Sequence, residues 1–221
     1  MIKDFVKKHT TLGFRNSFRR VLEEYRINKM HFRNLEKAKK YKFEKGLKIN
    51  LGCGHTIKAG WVNVDFNPEC ELSLDLREPL PFSDNSCALI YSEHFFEHLE
   101  HPVEISLLLS ESLRVLQAGG TFSLGVPDTE WPLLAYGNPE KYDYFDYANK
   151  VFHPWLTTKL EHINEHFRQD GQHKYAWDFE TMESVMQKAG FINIRRRPFD
   201  PDMDTEKRKI GTLYVDGQKP G

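Results

Sequence analysis

The stretch Leu47-Lys48-Ile49-Asn50-Leu51-Gly52-Cys53-Gly54 constrains this chain more than any other. Ile49 and Leu51 are apolar and suited to a buried strand, and the strand runs straight into a glycine-x-glycine turn. Glycine at such a turn adopts backbone angles closed to other residues and leaves no Cβ between the main chain and a ligand. Trp61-Val62-Asn63-Val64-Asp65 then reads as a second short strand ending on a carboxylate. An acid at the tip of that strand is placed to accept hydrogen bonds from a pair of ribose hydroxyls. Together these features point to a nucleoside-containing ligand at the carboxyl ends of parallel strands.

The dinucleotide fingerprint needs a third glycine where Ile57 stands, and an acid farther along than Asp65. A phosphate-cradling loop needs Gly-Lys-Ser/Thr, which is missing here. What remains resembles the first motif of the class I S-adenosylmethionine-dependent methyltransferases. More narrowly, four segments in order are similar to a small subgroup of that family with a shortened first crossover. They are Leu51-Gly52-Cys53-Gly54, Gly60-Trp61-Val62-Asn63-Val64-Asp65, Pro81-Phe82-Ser83-Asp84-Asn85-Ser86 and Arg114-Val115-Leu116 to Gly119-Gly120. The resemblance runs from about Leu47 to Ile194.

That resemblance implies an α/β fold, a Rossmann-like doubly wound sheet of about seven strands, mostly parallel with the last strand antiparallel. It implies S-adenosylmethionine as cofactor and S-adenosylhomocysteine as product. The implied cofactor contacts are Leu51, Gly52, Cys53, Gly54, Asp65, Phe66, Asp75, Leu76, Ser92, Glu93 and His94. Within that set Asp65 would meet the ribose, Asp75 and Leu76 the adenine amine and ring face, and Ser92, Glu93 and His94 the methionine end. A small-molecule acceptor with a sugar-like hydroxyl is the substrate class that the resemblance suggests.

Composition sets outer limits. A chain of 221 residues, 39% hydrophobic and 29% charged, suits one ordinary domain with room for an appended helical element. The net charge of −1 provides no global field for nucleic acid or an anionic membrane. Cys53, Cys70 and Cys87 form neither a Cys-x-x-Cys pair nor a disulfide framework, which favours a reducing, cytoplasmic setting. The first residues lead into no apolar signal core, and no run reaches membrane-spanning length.

The chain divides into a basic helical extension, 1–46, and a main domain, 47–221. From about Phe14 to Phe43 apolar residues recur at helical spacing among arginines and lysines. The plain expectation is a helix pair packed on the domain. The alternatives are a lid over the pocket or a docking surface, including one for a second copy of the chain. Strands are expected at Leu47–Leu51, Trp61–Phe66, Glu71–Leu76, Ala88–Ser92 and Thr121–Val126. A helix is expected from Pro102 to Leu116, stopped by Gly119-Gly120. Between strands one and two only Cys53 to Gly60 intervene, too few for the usual crossover helix, so a turn is expected. The segment 129–177 reads as an irregular, aromatic, histidine-rich active-site insertion. Asp178 caps a helix through Lys188 that stops at Gly190, and Phe191–Arg197 and Gly211–Val215 close the sheet as an antiparallel pair.

Methyl transfer from a sulfonium needs alignment and, for a hydroxyl or ammonium acceptor, removal of a proton. His94, His98 and His166 are candidate proton acceptors because imidazole titrates near neutral pH. Asp128, His166, His173 and Tyr175 are candidate substrate contacts. His94-Phe95-Phe96-Glu97-His98 also fits the His-x-x-Glu-His pattern of inverzincin metalloproteases. It follows a strand rather than lying deep in a long helix, so no metal site is expected, and a zinc hydrolase through His94, Glu97 and His98 stands only as a remote alternative. Two further readings compete with an enzyme acting on a small molecule. One is a non-catalytic cofactor-binding partner subunit docking through Phe14–Leu35. The other is an RNA methyltransferase using the basic N-terminal segment, against which the near-neutral charge argues.

Overall fold

The computed structural model describes residues 7–221; the first six residues of the expected N-terminal extension lie outside the described residues. At its centre is a seven-stranded sheet in the order β3-β2-β1-β4-β5-β7-β6. The strands are β1 Leu47–Leu51, β2 Val62–Asp65, β3 Leu72–Ser73, β4 Cys87–Glu93, β5 Leu116–Pro127, β6 Ile192–Arg196 and β7 Thr212–Gln218. The pairs from β3 through β5 are parallel, and β7 is antiparallel to both β5 and β6. This is the doubly wound, Rossmann-like architecture with an antiparallel closing strand. Chain order reverses between β1 and β4, and ligands of such sheets bind at that switch, beyond the carboxyl ends of the strands.

The central strands read as apolar runs because both faces are covered: Ile49, Leu51, Val64, Ile90, Phe122 and Leu124 are all fully buried. Between β1 and β2 there is no helix. Side chains hold the short link instead. Buried Asn50 donates to the Thr56 carbonyl at 3.0 Å and to Asn63 Oδ1 at 2.9 Å. Asn63 in turn donates to the Lys58 carbonyl at 3.0 Å and accepts from the Lys58 amide at 2.9 Å. Two amides opposite one another in register thus satisfy the backbone that a crossover helix would satisfy internally.

Helix α1, Leu12–Ala38, is one continuous helix of 27 residues rather than a pair. At 1.5 Å per residue it is roughly 40 Å long, more than the sheet edge can cover. Only its C-terminal part packs, burying His31, Asn34 and Ala38, while Phe14, Phe18, Val21 and Tyr25 stay exposed. Helix α2, Val103–Val115, stops at Leu116, earlier than Gly119-Gly120. Those glycines belong to β5, where Gly119 donates to and Gly120 accepts from the backbone of Lys219.

The segment 129–177 is not irregular. It holds three short helices, α3 Glu130–Gly137, α4 Tyr144–Val151 and α5 Lys159–Arg168, around a small core of Ala135, Tyr144 and Ala148. A Thr158–Glu161 capping box starts α5. The last helix, α6 Phe179–Ala189, follows its sequence signals closely: Asp178 accepts from the Thr181 amide at 2.8 Å, and Gly190 ends it at φ +102°.

Candidate active site

The site is assembled at the carboxyl ends of β1, β2 and β4. At the glycine turn, Gly52 and Gly54 have φ of +66° and +51°. The Gly54 amide donates to Asp65 Oδ2 at 2.9 Å, and Asp65 Oδ1 accepts from the Asn67 amide at 2.9 Å. Each carboxylate oxygen keeps a free lone pair. Cys53 is buried with its sulfur 2.7 Å from that of Cys70, and burial raises both thiols, so neither is an activated nucleophile.

Beside Asp65 lies a cavity of about 220 Å³ whose walls include Phe66, Leu74, Asp75, Leu76 and Phe95. Helix α1 supplies its outer wall through Glu23, Glu24 and Ile27. Asp75 is engaged by Arg77, which also forks onto Glu24 of α1 at 2.7 and 3.0 Å. The Asp75 amide donates to His31 Nδ1 at 3.1 Å. Phe95 covers Gly52 so tightly that an added Cβ would come within 2.2 Å of the ring. Around Gly54 the space is open. The residues therefore fit a nucleoside against Asp65 and Phe66, while an amino-acid tail over Gly52 requires the Phe95 ring to turn aside.

Strand β4 ends abruptly because His94 takes φ +53°, after which Phe96–His98 form a 3-10 turn. Phe96 is buried against Phe122, and Phe95 points the other way onto Gly52. Glu97 is buried within this turn, and burial pushes its carboxyl up to about 8. Burial likewise lowers His94 to about 3 and His166 and His173 to about 4. These imidazoles are neutral at neutral pH and weakly basic, because burial disfavours their charged form.

A second cavity, about 460 Å³, opens on the other side of the turn. Its walls include His94, Trp131, Tyr147, Phe152, His166 and His173. The segment 94–98 is the partition that reaches both cavities: His98 lines the first, His94 the second.

Beyond Gly52 and Gly54, the sequence-predicted residues fall into four groups. Asp65, Phe66, Asp75, Leu76 and His98 line the first cavity; His94, His166 and His173 line the second. Leu51 and Cys53 are buried beneath the turn. Ser92, Glu93, Asp128 and Tyr175 line neither. Alternation along β4 puts Glu93 on the face of Tyr91, where it accepts from the Thr205 amide at 3.1 Å and pairs with Arg208 at 3.4 Å. It thereby ties down the 200–209 loop and does not reach toward a methionine tail. Ser92 is buried, Asp128 accepts from the Glu130 amide at 3.0 Å at the start of α3, and Tyr175 packs, with its ring tilted, between His101 and Trp177. Sequence reasoning missed Phe95, Ile27, Trp131, Tyr147 and Phe152. Their apolar character read as ordinary core or helix face, and no local signal distinguishes a cavity wall from either.

Comparison with known proteins fits this geometry. Residues 33–124 match the family model of a methyltransferase domain. No curated protein matches the sequence. Among solved structures, a SAM-dependent methyltransferase from Methanosarcina mazei superposes with a TM-score of 0.50 at 15% identity, over 82% of this chain and 95% of that one. A SAM-dependent methyltransferase from Archaeoglobus fulgidus gives 0.45 at 15% identity, over 93% and 98%. Haemonchus contortus phosphoethanolamine N-methyltransferase 2, in complex with S-adenosyl-L-methionine, gives 0.48 at 15% identity, over 86% of this chain and 52% of its own. This chain thus spans about half the length of that enzyme. At such identities the likeness is one of fold, the Rossmann-like fold of methyltransferases. Among the described residues, no helix is long and apolar enough to cross a membrane.

Proposed function

We propose that this protein is an S-adenosylmethionine-dependent methyltransferase whose catalytic unit is 47–221, with α1 as one wall of the cofactor cavity. The observation that carries this reading is the Gly54 amide on the Asp65 carboxylate at 2.9 Å, at the switch point and on the edge of a cavity. The methyltransferase-domain match over residues 33–124 supports the same cofactor. When bound, that cofactor supplies a methyl group on sulfur. Asp65 would accept from the ribose hydroxyls and Phe66 and Leu76 would flank the base. With Asp75 held by Arg77, that carboxylate is less available to the adenine amine than the family resemblance implies.

The acceptor is a small molecule entering the second cavity. Aromatic faces at Trp131, Tyr147 and Phe152 among imidazoles suit a compact polar ring, a sugar-like hydroxyl being the first candidate. His166, whose Nε2 has no hydrogen-bond partner and which lines this cavity, would accept its proton. The experiment is calorimetry with S-adenosylmethionine on the wild type and Asp65→Ala, followed by a screen of hydroxylated acceptors for S-adenosylhomocysteine release. Binding that is absent in the wild type, or equal in both proteins, removes the reading.

One observation favours a second reading, a subunit that docks through α1. The side chains of Phe14, Phe18, Val21 and Tyr25 form an exposed apolar stripe. Arg19 and Arg20 precede Glu23 and Glu24 along the same helix, so an antiparallel second copy would set arginines of one chain against glutamates of the other. Light scattering on wild type and Phe18→Asp decides it: a dimer that the substitution dissociates supports the reading, and a wild-type monomer rejects it.

A further inference from the structure

The partition between the two cavities has an electrostatic peculiarity that methyl transfer by itself does not need. Glu97, His98 and His173 each bring one ligand atom within 4.8 Å of the others, and the Nε2 atoms of both histidines face Glu97 Oε1. His98 Nδ1 stands 3.2 Å from the Gln172 carbonyl, and His173 Nδ1 stands 3.1 Å from the His166 carbonyl. A carbonyl only accepts, so both protons sit on Nδ1 and both Nε2 lone pairs are left facing inward. His94 adds a third. The Thr212 hydroxyl donates to the Arg208 carbonyl, so it accepts from His94 Nε2 at 2.8 Å, leaving the Nδ1 lone pair 3.6 Å from Glu97 Oε1.

Lone pairs therefore converge on a carboxyl group that is only 2% exposed and that would give up its proton on binding a cation. The separations from Glu97 Oε1, 3.9 Å to His98 and 4.0 Å to His173, are too long for hydrogen bonds. Both Glu97 oxygens and His173 Nε2 are buried with no hydrogen-bond partner. Burying such acceptors unpaired costs free energy, and what would satisfy all of them at once is a positive charge in their midst. The nearby guanidinium of Arg208 is committed to Glu93. The backbone is braced as well: the Lys174 and Tyr175 amides both donate to the Glu97 carbonyl, at 2.7 and 3.3 Å, locking the strip that carries His173 against the turn that carries Glu97 and His98.

We propose that Glu97, His98 and His173 bind a divalent first-row transition-metal ion, with His94 beside them, in the partition between the two cavities. Two imidazoles and one carboxylate are the donor set of zinc and non-haem iron centres, whereas magnesium and calcium prefer all-oxygen cages. Each imidazole donates its other nitrogen to a carbonyl, the outer-shell arrangement that orients metal-ligating histidines. Bonds to such ions are about 2.0–2.2 Å long, so small side-chain rotations close the cage around one. Three protein ligands leave coordination positions open, and His94 and His173 line the second cavity. An acceptor oxygen could take one of those positions; this extension alone rests on the methyl-transfer reading.

The test uses the full chain, treated with chelator and then given zinc, cobalt, manganese or magnesium singly. Metal per chain is measured after gel filtration, and affinity by calorimetry. The expected result is one zinc or cobalt ion per chain with magnesium not retained. Glu97→Gln and the half-exposed His98→Ala should each weaken binding by more than about 100-fold, beyond the 10–100-fold of an outer-shell change. Cobalt-loaded wild type should show visible absorption that both variants lack. Melting curves taken in chelator establish that the variants are folded. Zinc content well below one per chain in the wild type, or content and cobalt absorption unchanged in both variants, overturns the proposal. S-adenosylmethionine affinity is measured on the same chelated samples. Cofactor binding without metal retention sinks the metal site and leaves the function; metal retention without cofactor binding does the opposite.

Discussion

The side-chain amide of Asn50 donates to the side-chain oxygen of Asn63 at 2.9 Å across two parallel strands, with both residues buried. Parallel neighbours are ordinarily joined by a helix that satisfies its own backbone. Here the pair satisfies the Thr56 and Lys58 backbone instead, which is how eight residues suffice between Leu51-Gly52 and Trp61. The same pair keeps the glycine turn and Asp65 at a fixed spacing, so a polar contact inside the sheet positions the candidate site.

Asn63→Ala strips partners from Asn50 and from the Lys58 amide and carbonyl at once. Leaving buried polar groups unpaired costs about 1–3 kcal/mol each, so a loss of at least that size is expected in urea unfolding, with the slope unchanged. An Asn63→Ala protein as stable as wild type would show that the link does not depend on this pair.

Asp65→Ala should lower stability by about 1–3 kcal/mol, because the Gly54 and Asn67 amides lose their acceptor, and weaken S-adenosylmethionine by about 1–3 kcal/mol, roughly 5- to 150-fold in Kd. Calorimetry reads this directly.

The two glycines of the turn should respond differently to alanine. Gly54 faces open space, so Gly54→Ala carries only the backbone cost of φ +51°, about 1–2 kcal/mol. Gly52→Ala adds a collision with the Phe95 ring, worth about 1–3 kcal/mol more from overpacking. Pairing it with Phe95→Ala should recover most of the extra loss, which denaturant titration of the four proteins would reveal.

Arg197 and Asp204 form a buried fork, with contacts of 2.6 and 2.7 Å, and Tyr91 also donates to Asp204 at 3.0 Å. Arg197→Met leaves the buried aspartate without its cation, with only the Tyr91 hydroxyl and the Asp200 amide as donors, and about 3–5 kcal/mol of destabilisation is expected. Replacing both partners with apolar residues should cost less than that single change, which a double-mutant cycle checks.

Burial pushes the Asp75 carboxyl up, but hydrogen bonds from Arg77 outweigh it and hold the group below its ordinary value of 3.8. Such a carboxylate contributes stability that is fully present above the unfolded pKa and vanishes as pH falls through the folded one. The stability gap between wild type and Asp75→Asn should therefore be constant above about pH 5 and close below about pH 4. Urea midpoints across that range test it; a gap that stays constant into acid means that the ion pair contributes nothing.

Much of the frame was legible from local pattern. The Ile49-to-Gly54 strand and turn, the Asp178 and Gly190 caps of α6 and the antiparallel closing pair all stand where alternation and capping residues place them. Residues 129–177 were not legible as helices. Helices α3, α4 and α5 are eight to ten residues long, too short to hold themselves, and they exist because Tyr144 and Ala148 bury a shared core. Glu93 was misplaced for a related reason. The strand ending was evident, but the face its carboxylate takes is set by Thr205 and Arg208, more than 110 residues away.

The amino-acid order alone determined that a glycine turn and an acid-tipped strand would lie side by side, since both are set by neighbours in the chain and by the period of a parallel sheet. Only the tertiary structure decided what stands opposite them. It laid Ile27 of α1 along one cavity, put Phe95 over Gly52, and carried His173 across 76 positions to Glu97. Such meetings depend on how separately folded segments pack, and no local period or cap encodes the distance between them.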